Sequence, residues 1–129
     1  MKSRYKITLA MLAGVGIGAV AVQGLHAQAK PPVYFISEID VTNPDAYAKE
    51  FVPNAQAGIK AAGGRALAAG SKVTTIEGAP PKGRVVVMQW DSMEKIQAWL
   101  NDPEQQTLRK NVGDKYATFR SFTVEGVPN

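Results

Sequence analysis

Three charged side chains are the strongest candidates for chemistry in this sequence. Arg65 follows a pair of glycines, Glu77 precedes another glycine, and Arg84 starts the next apolar segment. A guanidinium can bind a carboxylate through two parallel hydrogen bonds. A desolvated glutamate can act as a general base, because burial raises the pKa of a carboxyl group. We therefore expect Arg65, Glu77 and Arg84 to converge on one pocket and bind its ligand, with Glu77 and Arg65 as the catalytic candidates. The alternative is a structural Arg65–Glu77 ion pair.

Other kinds of active site are excluded by composition. The chain has no cysteine, and its single histidine, His26, lies in a leader that we expect to be removed. A Ser-His-Asp triad, a cysteine nucleophile, a thiolate zinc site and a histidine-ligated haem are therefore ruled out in the remaining chain. No carboxylate cluster has the spacing of a metal site. We predict neither a metal nor a resident cofactor.

Large aromatic residues could form the walls of the pocket. The candidates for ligand binding are Tyr34, Tyr47, Trp90 and Trp99. Aromatic residues at strand or helix spacing also serve as ordinary core residues, which is the competing interpretation. Aromatic walls and arginine anchors together predict a small anionic or aromatic ligand.

The N-terminus has the pattern of a secretory signal peptide. Lys2, Arg4 and Lys6 precede an uncharged, largely apolar run over residues 7–22. Ala27-Gln28-Ala29 then forms a small-x-small site, so we predict cleavage after Ala29. The run is shorter than the roughly 20 apolar residues of a spanning helix, although an uncleaved anchor is the alternative. The protein is expected to be periplasmic or secreted, with no membrane attachment after cleavage.

Removal of residues 1–29 would leave one domain, residues 30–129, and would change the charge balance. The chain has 15 basic and 11 acidic residues, and the leader contains three basic and no acidic ones. The domain would then carry 12 basic against 11 acidic residues. A concentrated basic footprint is absent, so nucleic acid is not an expected partner.

The first half of this domain has clear element signals. Residues 33–41 alternate as a strand. Asn43 caps a helix that carries an apolar residue at every fourth position and continues to about residue 62. Pro53 is expected to kink or divide this helix. Gly63 or Gly64 then supplies the left-handed turn that ends it.

The strands that follow carry the charged candidates. Residues 65–77 are predicted as one strand with a bulge at Gly70-Ser71. Residues 84–90 are apolar on both faces, which is typical of a central strand that is covered on both sides.

The rest of the domain predicts helix and then strand. Asp91 is expected to cap the second helix, through the pattern D-x-x-E. A further helical segment is expected from Pro103 until Gly113 breaks it. Residues 119–127 predict the last strand, with Phe122 and Val124 facing inward.

The element order is strand, helix, strand, strand, helix, strand. It predicts an α+β fold of the ferredoxin-like βαββαβ type, in which two helices cover one face of a four-stranded antiparallel sheet. The other face would be bare, although the third strand is apolar on both faces. We therefore predict a homodimer that packs sheet to sheet as a dimeric α/β-barrel.

Several motifs together resemble a known family. They are Gly63-Gly64-Arg65, Glu77-Gly78, Arg84-Val85-Val86-Val87, Trp90-Asp91-Ser92 and Asp102-Pro103-Glu104. The pattern resembles domain-of-unknown-function family 1330, within the dimeric α/β-barrel superfamily. The resemblance implies a ferredoxin-like fold and a sheet-to-sheet dimer, and it implies no established activity. Related barrels include cofactor-free monooxygenases, chlorite-dismutase-like haem proteins and muconolactone-isomerase-like enzymes. The chain departs from the family at Gln105, where an aromatic is common, and at Trp90, where phenylalanine is usual.

Three functions are compatible with these patterns. The first is an exported dimer that binds a small molecule between sheet and helices. The second is a cofactor-independent enzyme of the monooxygenase or isomerase kind, with Glu77 or a tyrosine moving a proton and Arg65 stabilising an oxyanion. The third is a structural dimer without pocket chemistry. A concave, aromatic-lined cavity would favour the first two functions, and a filled interior the third.

Overall fold

Four strands form one antiparallel sheet in the computed structural model, which describes residues 30–128. They are β1 (Val33–Val41), β2 (Arg65–Gly70), β3 (Arg84–Trp90) and β4 (Ala117–Glu125). Their order across the sheet is β2-β3-β1-β4, and each neighbouring pair is antiparallel. The ferredoxin-like α+β fold predicted from the element order is confirmed.

The compact unit of the described chain is Pro31–Gly126. The predicted signal peptide, residues 1–29, lies outside the described residues together with its cleavage site after Ala29. Within residues 30–128, none of the helices has the length and apolar character needed to cross a bilayer.

The helical connection between β1 and β2 contains a widened turn. It consists of α1 (Pro44–Ala46), the π-helical turn π1 (Tyr47–Phe51) and α2 (Val52–Ala62). Asn43 caps it as predicted, because its side-chain oxygen accepts a hydrogen bond from the Ala46 N–H at 3.2 Å. Pro53 has no N–H with which to bond the carbonyl of Lys49, which lies within π1, and π1 ends two residues before Pro53. The predicted disruption of the helix at Pro53 is therefore confirmed.

The second helical connection begins one residue later than predicted. It comprises α3 (Met93–Asn101), α4 (Pro103–Leu108), the π-helical turn π2 (Arg109–Gly113) and α5 (Asp114–Tyr116). Ser92 caps α3, because its Oγ accepts a hydrogen bond from the Lys95 N–H at 3.2 Å. The carboxylate of Asp91 instead pairs with the Lys95 ammonium at 3.3 Å. The expectation that Gly113 breaks the helical segment is also wrong, because α5 follows π2 directly.

Strand β2 is shorter than predicted, and its bulge lies elsewhere. The register shifts between Ala66 and Ala68, and pairing ends at Gly70 opposite Val85. Continuing this register would oppose residues 74 and 75 to Pro81 and Pro80, which have no N–H to donate. Gly83, with φ of 66°, also lies outside strand geometry. Residues 71–83 therefore form an exposed loop, and the predicted strand over residues 72–77 is wrong.

The faces of β1 are as predicted, whereas those of β4 are reversed. Val33, Phe35, Ser37 and Ile39 are buried on the inner face, towards the helices. Phe119 is paired with Ile39 and Phe122 with Ile36, so Phe119 shares the inner face and Phe122 the outer face. Phe122 and Val124 are 45% and 54% exposed, and the expectation that they face inward is wrong.

The Gly63-Gly64 pair has two separate structural roles. Gly63 ends α2 in the left-handed conformation, with φ of 106°, as predicted. A Cβ at Gly64 would lie 2.6 Å from a ring carbon of Trp90 and 2.8 Å from Ile59. The second glycine is therefore required because Trp90, which is 1% exposed, packs against the backbone there.

Candidate functional site

A cavity of about 130 Å³ lies between the inner face of the sheet and the helices. All four strands and helical segments from both connections contribute to its lining. Its aromatic residues are Phe35, Tyr47, Phe51, Trp99 and Phe119. The interior is therefore concave and aromatic-lined rather than filled.

The rings of the cavity wall are held by contacts with one another. Tyr47 and Phe51 stack with their centroids 5.2 Å apart, and Phe119 packs against Phe51 at 5.7 Å. On the other side, Phe35 and Trp99 meet edge to face at 5.6 Å. The π1 turn supplies both Tyr47 and Phe51, so the local widening of the helix at Pro53 determines how this part of the wall is presented.

Arg84 is the charged residue of the cavity that lacks a partner. It starts β3 on the inner face, opposite Ile39. Its Nε is buried and has no hydrogen-bond partner within the described chain. None of the ion pairs found among residues 30–128 includes it. A buried donor without a partner costs about 1–3 kcal/mol. The Nε itself is covered by protein atoms, so an acceptor from outside the chain would reach it only after the guanidinium turns towards the cavity that Arg84 lines.

A second arginine, Arg109, is already engaged. Its Nε donates to Asp114 Oδ1 at 3.0 Å, and its Cζ lies 3.6 Å from the centroid of the Phe119 ring. The carboxylate compensates its charge, and the ring contact fixes its position. Arg109 thus adds positive potential to the cavity, whereas Arg84 provides the free donor.

Tyr47 places a neutral hydroxyl group in this environment. The residue is buried, and the Arg84 Cζ lies 6.0 Å from its ring centroid. Burial raises the pKa of the Tyr47 phenol above its ordinary value of 10.0, although Arg84 and Arg109 oppose this effect. Tyr47 therefore keeps its proton at neutral pH and can donate a hydrogen bond or a proton.

The remaining polar groups of the cavity are uncharged. Ser37 and Ser121 are joined by a hydrogen bond of 2.7 Å between their hydroxyl oxygens, across the β1–β4 pair. Trp99 has a buried indole N–H without a partner in residues 30–128. None of the lining residues in the described part of the chain is Asp, Glu, Lys or His. The cavity consequently offers donors and positive charge, and no carboxylate.

The candidate residues predicted from the sequence are divided between four places: the cavity, the outer face of the sheet, the core and an exposed loop. Tyr47, Arg84 and Trp99 line the cavity. Tyr34 lies on the outer face, paired with Gln89 and Val124, and Trp90 is in the core beside Trp99 with centroids 5.2 Å apart.

The other two candidates, Arg65 and Glu77, are outside the cavity. The Arg65 guanidinium donates to Gln89 Oε1 at 3.1 Å on the outer face of the sheet. Glu77 is exposed in the loop of residues 71–83. The expected convergence of Arg65, Glu77 and Arg84 is therefore not found, and neither is the Arg65–Glu77 ion pair.

Sequence reasoning did not select several residues of the cavity. Phe51 falls in the apolar stripe of the first helical connection, and Phe119 starts the predicted last strand, so neither position indicated a cavity. Ser37 carried the clearest available signal, because it is the one polar residue among the buried positions of β1. A buried hydroxyl in such a row requires a partner, and here the partner is Ser121.

Comparison with known proteins places this geometry in a wider context. A protein of unknown function from Rhodopseudomonas palustris superposes with a TM-score of 0.60 at 15% identity, covering 78% of this chain and 85% of that one. SnoaB, a cofactor-independent oxygenase from Streptomyces nogalater, superposes with a TM-score of 0.56 at 13% identity, covering 77% and 96%. At these identities the similarity establishes the fold alone.

Sequence comparison identifies the family. No match to a curated protein was found. The model of the family described as Domain of unknown function (DUF1330) matches residues 32–127, which include every strand and helix described above. The chain belongs to the DUF1330 family.

Proposed function

We propose that this protein is an exported dimer that binds a small anionic or aromatic molecule in the cavity between sheet and helices, with Arg84 as the anchor. The observation that carries this proposal is the buried Nε of Arg84, which has no partner in residues 30–128. A buried donor without a partner destabilises the unliganded protein. An anionic ligand would compensate that charge, and the aromatic wall would contact its apolar part.

The charge of the lining supports an anion over a cation. Among residues 30–128, Arg84 and Arg109 are the charged residues that line the cavity, and no carboxylate of this part of the chain does so. An amine would therefore meet positive charge and find no counter-ion. An anion would find the guanidinium edge of Arg84, with the neutral Tyr47 phenol close by.

A thermal-shift screen of small carboxylates and phenols tests the binding function. The screen compares the wild-type protein with Arg84→Met, which keeps much of the apolar stem and removes the charge. Lys60→Met is the control, because it removes a positive charge from the exposed surface of α2, away from the cavity and from the outer face. We expect ligands that stabilise wild type and Lys60→Met and do not stabilise Arg84→Met. Equal stabilisation of all three proteins would contradict the assignment of Arg84.

The outer face of the sheet supports the dimeric part of the proposal. The rows Val87–Ile36–Phe122 and Gln89–Tyr34–Val124 run side by side across the sheet there. None of the helices within residues 30–128 covers them, and Phe122 and Val124 are about half exposed. Adjacent apolar side chains of this kind mark an interaction surface. A second copy of the chain would bury this face by packing sheet to sheet.

Light scattering at micromolar concentration tests the dimer. We expect residues 30–129 to have the mass of two chains, and Phe122→Asp to have the mass of one. Ala98→Lys, which adds a charge on the exposed side of α3, should remain dimeric. A wild-type monomer would remove the basis for the dimer.

Export is proposed from the leader over residues 1–29. Its basic start, apolar run and small-x-small site support cleavage after Ala29 and a periplasmic or secreted location. N-terminal sequencing of the protein recovered from the periplasm or the medium should begin at Lys30. Recovery of the intact N-terminus from membranes would instead support an uncleaved anchor.

A cofactor-independent enzyme of the monooxygenase or isomerase kind is the second candidate, and the buried Tyr47 phenol favours it. In that role Arg84 would stabilise an oxyanion and Tyr47 would donate a proton. Glu77 cannot act as the base in this cavity from its exposed loop position. Mass spectrometry of the bound ligand discriminates the two functions. A ligand returned unchanged after prolonged incubation supports binding, and a Tyr47-dependent change of its mass or isomeric form supports catalysis.

A further inference from the structure

We propose that the ligand of this cavity is a monocyclic aromatic carboxylate, an inference that rests on the proposed binding function. Three features lead to this class: the free edge of Arg84, the ring-lined wall and the limited volume. Each feature excludes a different group of alternatives.

The free edge of Arg84 selects the acidic group. A carboxylate accepts two parallel hydrogen bonds from a guanidinium, and one such arrangement uses Nε together with a neighbouring terminal nitrogen. The Nε of Arg84 is buried and unpartnered in the described chain, so a carboxylate that enters the cavity would gain this donor once the guanidinium turns towards it. Amines and neutral hydrocarbons cannot satisfy it.

The wall selects a flat ring. Five aromatic residues line the cavity: Phe35, Tyr47, Phe51, Trp99 and Phe119. They meet in both edge-to-face and stacked arrangements, with centroids 5.2–5.7 Å apart. A further ring inserted among them can form contacts of the same kinds, which contribute beyond area burial. A saturated ring gains the burial without these contacts.

The volume limits the ligand to one ring. The cavity measures about 130 Å³, close to the roughly 150 Å³ of an engineered cavity that binds benzene. A fused two-ring acid is larger than this volume and would extend out of the cavity. Drug-sized ligands occupy cavities of about 300–1,000 Å³.

Gly113 is a positioning residue: it determines where the ring of Phe51 lies and so influences the volume of the cavity. A Cβ at Gly113 would lie 2.7 Å from Phe51 Cε1, so the ring of Phe51 lies directly against the backbone of π2. This contact keeps the ring back from the cavity. Gly113→Ala should push it inward and reduce the space for the ligand, whereas Phe51→Leu should enlarge that space.

Isothermal titration calorimetry of residues 30–129 with four probes tests the inference. The probes are benzoate, cyclohexanecarboxylate, 2-naphthoate and benzylamine. We expect benzoate to bind about threefold or more tighter than cyclohexanecarboxylate, as ring contacts of this kind imply. 2-Naphthoate should bind at least about tenfold more weakly than benzoate, and benzylamine should not bind. Arg84→Met should abolish benzoate binding.

The variants at the wall make the test independent of any single substitution. Phe51→Leu should reduce the difference in affinity between 2-naphthoate and benzoate. Gly113→Ala should weaken the binding of benzoate. Gly58→Ala is the control: its new methyl group meets nothing within 4 Å, so the affinity for benzoate should not change. Because Phe51→Leu and Gly113→Ala act in opposite directions, misfolding of one leaves the other as a test.

The outcomes separate the ligand class from the binding function. Arg84-dependent binding of 2-naphthoate or cyclohexanecarboxylate as tight as that of benzoate would overturn the class and leave anion binding intact. The class also falls if none of the four probes binds while another anion of the thermal-shift screen does so through Arg84. If no anion binds through Arg84, both the class and the binding function are wrong.

Discussion

Replacing Gly64 with alanine should destabilise the protein for a purely steric reason. The backbone at Gly64 does not have a positive φ, so alanine meets no conformational penalty there. Its Cβ would lie 2.6 and 2.7 Å from two ring carbons of Trp90 and 2.8 Å from Ile59. Trp90 is 1% exposed and packed within the core, so it cannot move aside freely. Overpacking of this kind costs about 1–3 kcal/mol.

Chemical and thermal unfolding of matched glycine variants measure this loss of stability. For a domain of about 100 residues, 2 kcal/mol corresponds to a fall in Tm of about 8–16 °C. Gly58→Ala is the control, because this helical position is open within 4 Å and should gain about 0.5–1 kcal/mol. If Gly64→Ala stayed within about 0.5 kcal/mol of wild type, the assignment of a packing role to the second glycine would be refuted.

Three further predictions concern caps, protonation and charge. Ser92→Ala should lose about 1 kcal/mol of stability, because it removes the cap of α3. Asp91→Ala removes only an exposed ion pair and should lose less than about 0.5 kcal/mol. Urea unfolding measures both losses. The stability associated with the raised pKa of Tyr47 is present below pH 10.0 and lost as pH rises through the folded-state pKa. As the pH rises above 10.0, Tyr47→Phe should therefore lose less of its unfolding free energy than wild type does. Unfolding followed by circular dichroism measures this difference. Without ligand, Arg84→Met should be about 1 kcal/mol more stable than wild type, because it removes an unpartnered donor. A large loss of stability would instead indicate that Arg84 has a structural role.

The fold was predictable because local signals agreed with one another. Asn43 and Gly63 mark the two ends of the first helical connection, and β1 alternates without interruption. These positions follow from hydrogen-bond and backbone preferences that act within a few residues. The element order then left the ferredoxin-like arrangement as the natural topology.

The candidate site was predicted only in part because it depends on pairing between distant strands. Strand β2 ends at Gly70, where its pairing with β3 stops, so the extent of the strand could not be judged from its own residues. Glu77, which was expected in the pocket at the end of this strand, therefore lies in the exposed loop of residues 71–83. Arg84 was selected for its type and its position at the start of a strand. That its side chain lies on the inner face without a counter-ion is a tertiary property.

The outer and inner faces of β4 show the same limitation. Residues 117–125 alternate in a way that puts apolar side chains on both faces, so the sequence alone did not identify the buried one. The register against β1 decides it, by placing Phe119 beside Ile39.

The crystal structure of residues 30–129 grown with saturating benzoate tests most directly whether Arg84 anchors an anion inside the cavity. The measured quantity is the distance between the benzoate carboxylate and Arg84 Nε. We predict a hydrogen bond of about 2.7–3.2 Å, with the ring between Phe51 and Trp99. A cavity that remains without benzoate, or benzoate bound elsewhere with Arg84 paired to a group of the protein, would contradict the assignment.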